Sequence, residues 1–106
     1  MSTGLLGKAA PSANANTTLY PVPASTFIVA NLSVVNRGGT DAKVRVWIGT
    51  TLIPANADYV EFDAIIPAGG GVLERTSLMA EAGELVNISD DQGTCSYRLF
   101  GYAKGV

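Results

Sequence analysis

The sequence predicts an all-β domain: an antiparallel β-sandwich, Greek-key or jelly-roll-like, of about seven or eight short strands. Apolar residues alternate with polar or small residues along most segments, which is the spacing of strands with one buried face. Turn residues such as Gly, Pro, Asn and Asp separate these segments at intervals of about ten residues. Only residues 77–83 look helical, and we expect at most one turn there, leading into the next strand.

The clearest alternation lies in residues 26–36 and 42–48. The residues on the inward side are Ile28, Ala30, Leu32 and Val34, followed by Ala42, Val44, Val46 and Ile48. Pairing Val34 with Val44 predicts a hairpin with residues 38–40 as a three-residue loop, where glycine supplies a positive φ cheaply. In a Greek-key sandwich the two strands instead lie on opposite sheets, and the inward faces are the same in both arrangements.

The other elements follow from the same signals. Residues 1–16 contain mainly Gly, Ala, Ser, Asn and Pro, and they predict an extended N-terminal arm before a single sandwich domain over 17–106. Pro21 limits the first strand of that domain to an edge or a short piece. The remaining predictions are strands at 17–22, 58–64, 72–76, 84–89 and 94–103, with a type I turn at 90–93.

The composition limits the classes of function. A chain of 106 residues forms one domain with a substantial core. Charged residues make up only 15% of the chain, against about 25% in typical domains. This indicates either surface that another molecule covers or a neutral surface of Ser, Thr, Asn and Ala. The net charge of −2 and the scattered Lys and Arg argue against nucleic-acid binding. The sequence also contains no pattern typical of a membrane span or a signal peptide.

The residue types that usually carry out chemistry are absent or isolated. The chain has no histidine, which removes the commonest general base and metal ligand. Cys95 is the only cysteine and lies in an alternating run, where a buried small side chain is expected. Asp90 and Asp91 fit a tight turn better than a calcium loop. We therefore expect no catalytic residue, no cofactor, no metal site and no enzymatic activity.

Candidate contact residues lie on the outward side of the two clearest strands. Arg45 and Trp47 alternate with the inward residues of the second strand, and Phe27 and Val29 do so on the first. Such a mixture of aromatic, aliphatic and Arg side chains is typical of the core of a protein interface. Alternatively, a loop or the N-terminal arm of the same chain covers this strip. The large apolar pair of the arm completes the candidates: Leu5 and Leu6.

Three stretches carry a resemblance to a known group of proteins. They read LLGKAAPSANANTTLYPVPAS, ANLSVVNRGGTDAKVRVWI and ADYVEFDAIIPAGGGVLERTSLMAEAGELVNI. The chain from Leu5 to Ile88 resembles small structural virion proteins of tailed phages, often phages of cyanobacteria. The most specific parts are the turn at residues 36–38, the strand start at 58–59 and the run at 73–76.

The resemblance implies a non-enzymatic β-sandwich subunit that is present in many copies on a virion. It favours a capsid cement (decoration) protein that binds the major capsid protein, lies on the capsid surface and is made in the cytoplasm of the bacterial host. Self-association as a dimer or trimer is expected. The alternatives are a tail, neck or fibre component of the virion, or a carbohydrate-binding module in which Trp47, Tyr59 and Tyr97 stack on sugars.

Overall fold

The computed structural model describes the backbone of residues 2–105 and the side chains of residues 4–105. In this part of the chain, eight strands form two four-stranded antiparallel sheets. The strands are β1 (Ser2–Ala9), β2 (Thr17–Pro21), β3 (Thr26–Asn36), β4 (Ala42–Gly49), β5 (Tyr59–Ile66), β6 (Val72–Glu81), β7 (Leu85–Asp90) and β8 (Cys95–Gly105). The front sheet has the order β1-β8-β3-β6, and the back sheet has the order β2-β7-β4-β5. The predicted all-β sandwich is confirmed.

The core lies between the two sheets and follows the predicted alternation. In β3, the four inward side chains at positions 28, 30, 32 and 34 are all buried. In β4, Ala42, Val44 and Val46 are buried and Ile48 is partly buried against the core. Val and Ile are stiff at their branched Cβ and pack well on a pleated surface, so these runs favour strands.

The hairpin predicted between β3 and β4 is wrong, and the alternative with the strands on opposite sheets is confirmed. β3 pairs with β6 and β8, whereas β4 pairs with β5 and β7. Residues 37–41 therefore carry the chain from one sheet to the other. The Arg37 amide donates to the carbonyl of Thr94, which anchors this crossing to the start of β8. Alternation alone cannot separate the two arrangements, because both bury the same side chains.

The expectation that residues 1–16 form an extended arm outside the sandwich domain is wrong for residues 2–9. Residues 2–9 form β1, an edge strand of the front sheet that pairs with β8 from Ser2–Ala103 to Ala9–Tyr97. A shift in register between Leu5 and Gly7 turns Leu6 toward the core. Gly7 is needed there because a Cβ would lie 2.3 Å from the Leu19 carbonyl oxygen. The small residue at Gly7 thus allows β1 to pack closely against the Leu19 backbone, and it does not indicate an unpaired arm.

Residues 77–83 are not helical. β6 continues through Glu81, and the turn follows at Gly83, whose φ is +84°. The pairing of β6 with β3 shifts between Ala30 and Leu32, where Ser77 also has a positive φ of 59°. This bulge interrupts the alternation of apolar residues, which explains why the sequence pattern resembled a helical turn.

Candidate interaction surfaces

The front sheet exposes an apolar outer surface, which we call the front face. Register places its members in neighbouring rows: Tyr102 of β8 pairs with Val29 of β3, which pairs with Met79 of β6. In the next row Leu5 pairs with Phe100. Met79 is 66% exposed and Leu5 is 46% exposed. The front face is formed by Leu5, Phe27, Val29, Met79, Phe100 and Tyr102.

The back sheet exposes a second surface with large apolar side chains around β5, which we call the back surface: Arg45, Phe62 and Ile65. A bulge in β5 sets two residues, Phe62 and Asp63, opposite Arg45, and Asp63 takes a positive φ of 52°. The Arg45 guanidinium lies 4.3 Å from the centre of the Phe62 ring, and its Nε donates to Asp63 Oδ1 at 2.7 Å. The hydrogen bond from Arg45 lowers the pKa of the Asp63 carboxyl.

The bulge therefore fixes the direction of Arg45 and Phe62 on an otherwise exposed edge. Phe62 is 58% exposed and Ile65 is 63% exposed, although both lie on an ordered strand. The Tyr59 ring packs edge-on against Phe62 at 4.9 Å between ring centres. The back surface is thus apolar, held in place and accessible.

Trp47 lies on the outer side of the back sheet, paired with Asn87, but it is only 1% exposed. Residues 50–58 fold over it: the indole Nε1 donates to the carbonyl of Leu52, and Asn87 Nδ2 donates to the carbonyl of Thr51. The Tyr59 ring closes the remaining side, with 5.9 Å between ring centres. The alternative in which a loop of the same chain covers this position is correct, and the interpretation of Trp47 as a contact residue is corrected.

The predicted contact residues separate into two groups. Leu5, Phe27 and Val29 all lie on the front face, and Leu6 points into the core. Arg45 lies on the back surface, so the single outward strip expected from the hairpin does not exist. The strip was assembled from strands that belong to opposite sheets.

Sequence reasoning missed several surface residues: Ile53, Phe62, Ile65, Met79, Phe100 and Tyr102. A signal for two of them was present, because β8 carries large apolar residues on both sides of the alternation. Leu99 and Tyr97 face inward, while Phe100 and Tyr102 face outward. A strand that is apolar on both sides indicates that both its faces are candidates for burial.

The aromatic residues considered for sugar stacking do not form an exposed platform. Trp47 and Tyr97 are each 1% exposed, and Tyr59 is partly buried between Trp47 and Phe62. Within the described residues, no cluster of three or more metal-binding side chains occurs. Asp90 is used internally, where it accepts hydrogen bonds from the Tyr97 hydroxyl at 3.1 Å and from the Gly93 amide.

Burial around Asp90 changes the acidity of two neighbouring groups. Desolvation, with the nearby Asp90 carboxyl adding to it, raises the pKa of the Cys95 thiol to about 11. Desolvation, followed by the charge of the Asp90 carboxyl, also raises the pKa of the Tyr97 hydroxyl far above its usual range. Both groups therefore remain protonated in the folded protein at neutral pH.

Cys95 should consequently react slowly with iodoacetamide in the folded protein. At pH 8 the raised pKa lowers the thiolate fraction by about a hundredfold, and burial restricts access further. Mass spectrometry of native and urea-unfolded protein measures the two rates, with Gln92→Cys as an exposed control that should react rapidly when folded. Equal native and unfolded rates at Cys95 would contradict its burial.

The folded state also keeps the Cys95 thiol proton that the unfolded chain releases above pH 9.0. The free energy of unfolding should therefore fall as the pH rises above that value.

Comparison of the chain with protein-family models, with curated protein sequences and with solved structures gives no match. Among residues 2–105 there is no helix with the length and apolar character needed to cross a membrane.

Proposed function

We propose that this protein is a structural component of a phage virion and serves as a capsid cement (decoration) protein that binds the major capsid protein. The observation that carries the proposal is the presence of two ordered apolar surfaces on opposite outer sides of one sandwich. A subunit with two such surfaces is suited to joining neighbouring molecules. The sequence resemblance to small virion proteins supports the same class, and we accordingly propose a non-enzymatic role.

The back surface has the composition of a protein contact site. Arg stacked on an aromatic ring and flanked by an exposed aliphatic side chain is typical of residues that dominate binding energy. Because Asp63 holds Arg45 in place, little side-chain freedom is lost on binding. We assign the shell contact to this surface, centred on Phe62 and Ile65.

Many copies on a symmetric shell would act together. Each contact needs only modest affinity, because several linked contacts raise the overall affinity without any new interaction. The low charged fraction of 15% fits a subunit whose surface is largely covered in the assembly.

Co-sedimentation of the purified protein with empty, undecorated capsids tests the proposal, with isolated tails as the competing target. We expect saturable binding to capsids at a copy number set by the lattice. Binding to tails alone would reject the cement role in favour of a tail or neck component.

The assigned surface is tested by Ile65→Lys. Placing a charge at the centre of an apolar contact should weaken capsid binding by roughly tenfold or more. The control is Gln92→Lys, which makes the same change of charge at an exposed turn and should bind as wild type. If both variants bind equally well, the back surface is not the shell contact.

A further inference from the structure

The front face carries its charges in two separate halves. The β1 and β8 half has three basic residues, Lys8, Arg98 and Lys104. The β6 edge has two acidic residues, Glu74 and Glu81, whereas Arg75 of the same strand pairs with Glu61 of the back sheet. These three basic and two acidic side chains are all exposed. Neither of the two ion pairs found among the described residues involves them.

Strand register places opposite charges at the two ends of one row. Lys8 pairs with Arg98, Arg98 with Ser33, and Ser33 with Glu74, so the row crosses the whole sheet from basic to acidic. Within one copy, Lys8 and Glu74 are three strand spacings apart, or about 14 Å. The two side chains are therefore too far apart to pair with each other on the same copy.

A second copy of the chain would bring these charges together. When two identical sheets meet face to face about a two-fold axis parallel to the strands, β1 of one lies over β6 of the other. By symmetry the dimer then contains two Lys8–Glu74 pairs, one at each end of this row, and the apolar row of Tyr102, Val29 and Met79 lies beside them further along the strands. A two-fold axis across the strands would instead set the basic halves against each other.

The two strand edges are poorly suited to pairing with another copy. β1 is interrupted by a bulge between Leu5 and Gly7, with Gly4 at a φ of +93°. β6 has its own irregularity opposite Ala30–Leu32, with Ser77 at positive φ. Bulges and charges of this kind protect edges from strand addition. Association through the face is therefore favoured over association through the edge.

The area of the front face is sufficient for a specific contact. Four strands at about 4.8 Å spacing and about 3.3 Å per residue cover roughly 650 Å² on each copy. The pair would bury about 1,300 Å², which falls within the standard range for protein interfaces. Sheets packed in this way keep their strands within about 30° of each other, so the charged rows stay close to alignment.

We infer that the protein self-associates as a two-fold dimer through the front face, with Lys8 of each copy against Glu74 of the other. The dimer leaves both back surfaces free and directed away from each other. If the back surface binds shell subunits as proposed above, the dimer bridges two of them. The dimer itself does not depend on what the back surface binds.

Sedimentation equilibrium of the purified protein, with no capsid present, tests the inference. We expect a species of twice the 11.0 kDa chain mass. Met79→Lys should convert it to a monomer, whereas Ile65→Lys, an equally exposed change on the other sheet, should leave the dimer intact. A monomeric wild type, or a Met79→Lys variant that remains dimeric, overturns the inference.

Charge exchange tests the direction of the two-fold axis. Lys8→Glu alone or Glu74→Lys alone should raise the dimer dissociation constant by roughly tenfold, because each change creates two like-charge contacts. The double variant should regain wild-type affinity. If the double variant does not regain wild-type dimer affinity, the arrangement with Lys8 opposite Glu74 of the second copy is overturned.

A zero-length carbodiimide crosslink provides evidence that does not require a variant. In a mixture of ¹⁴N- and ¹⁵N-labelled protein, peptides joining Lys8 to Glu74 should be isotopically mixed. The distance within one copy is too long for such a link. Absence of this crosslink in a protein that sediments as a dimer would show that a different surface forms the contact.

Discussion

Replacing Trp47 with Ala is expected to lower the free energy of unfolding by about 3–5 kcal/mol, as for other large aromatic residues in well-packed sites. The side chain is 1% exposed and fills the space between the back sheet and residues 50–58. Removing it leaves a cavity and frees the Leu52 carbonyl from its indole donor. Since domains of this size are stable by about 5–15 kcal/mol, the melting temperature should fall by more than about 10 °C.

The matched control is Trp47→Phe, which keeps most of the ring volume and loses only the N–H donor. This substitution should lower the free energy of unfolding by only about 1–2 kcal/mol, the value of one lost hydrogen bond and a small volume change. Thermal melts of the three proteins by circular dichroism give the comparison. A Trp47→Ala protein that melts like wild type but fails to bind capsids would mean that Trp47 contacts the partner directly.

Asn36→Ala is expected to have the second large effect, lowering the free energy of unfolding by about 3 kcal/mol or more. The side chain is fully buried at the end of β3 and uses its whole hydrogen-bonding capacity. Its Nδ2 donates to the carbonyls of Thr40 and Ile66, and its Oδ1 accepts from the Gly38 amide and the Thr94 hydroxyl. One amide thus joins the front sheet, the back sheet and the crossing between them. Alanine would leave all four partners without it.

Asn36→Asp tests the assignment of the amide because it keeps the shape. Aspartate would place a carboxylate oxygen against two carbonyl oxygens, so it should destabilise at least as much as alanine. Asn56→Ala, at an exposed position, should change the free energy of unfolding by less than about 0.5 kcal/mol. Urea titrations measure all three. An Asn36→Asp protein as stable as wild type would show that Nδ2 does not donate to these carbonyls.

The fold class could be predicted because the inward faces of β3 and β4 are set by local alternation. Burial of Ile28, Ala30, Leu32 and Val34 depends only on period-2 spacing and on which side faces the core. The partners of each strand could not be predicted, because the same apolar face satisfies a hairpin and a two-sheet arrangement equally. The role of Asn36 was visible only as part of a turn that resembled other proteins.

The candidate surfaces were harder to predict because they depend on strand order. Met79 and Val29 are 50 positions apart and become neighbours only when β6 pairs with β3. Trp47 shows the opposite problem: its outward direction was predictable, but residues 50–58 fold over it. Alternation indicates which way a side chain points, and the tertiary structure decides what lies above it.

The position of β1 beside β8 has a consequence for how the protein folds during synthesis. Ser2 and Ala103 are partners, so β1, the first of the eight described strands to be synthesised, pairs with β8, the last of them. β3 likewise pairs with two strands that are synthesised after it, β8 on one side and β6 on the other. The back sheet contains no strand beyond Asp90 and can assemble earlier. Such distant pairings are associated with slow folding. The backbone hydrogen-bonding groups along the two edges of β3 therefore stay unpaired until β6 and then β8 have been synthesised, so the front sheet is completed after the back sheet.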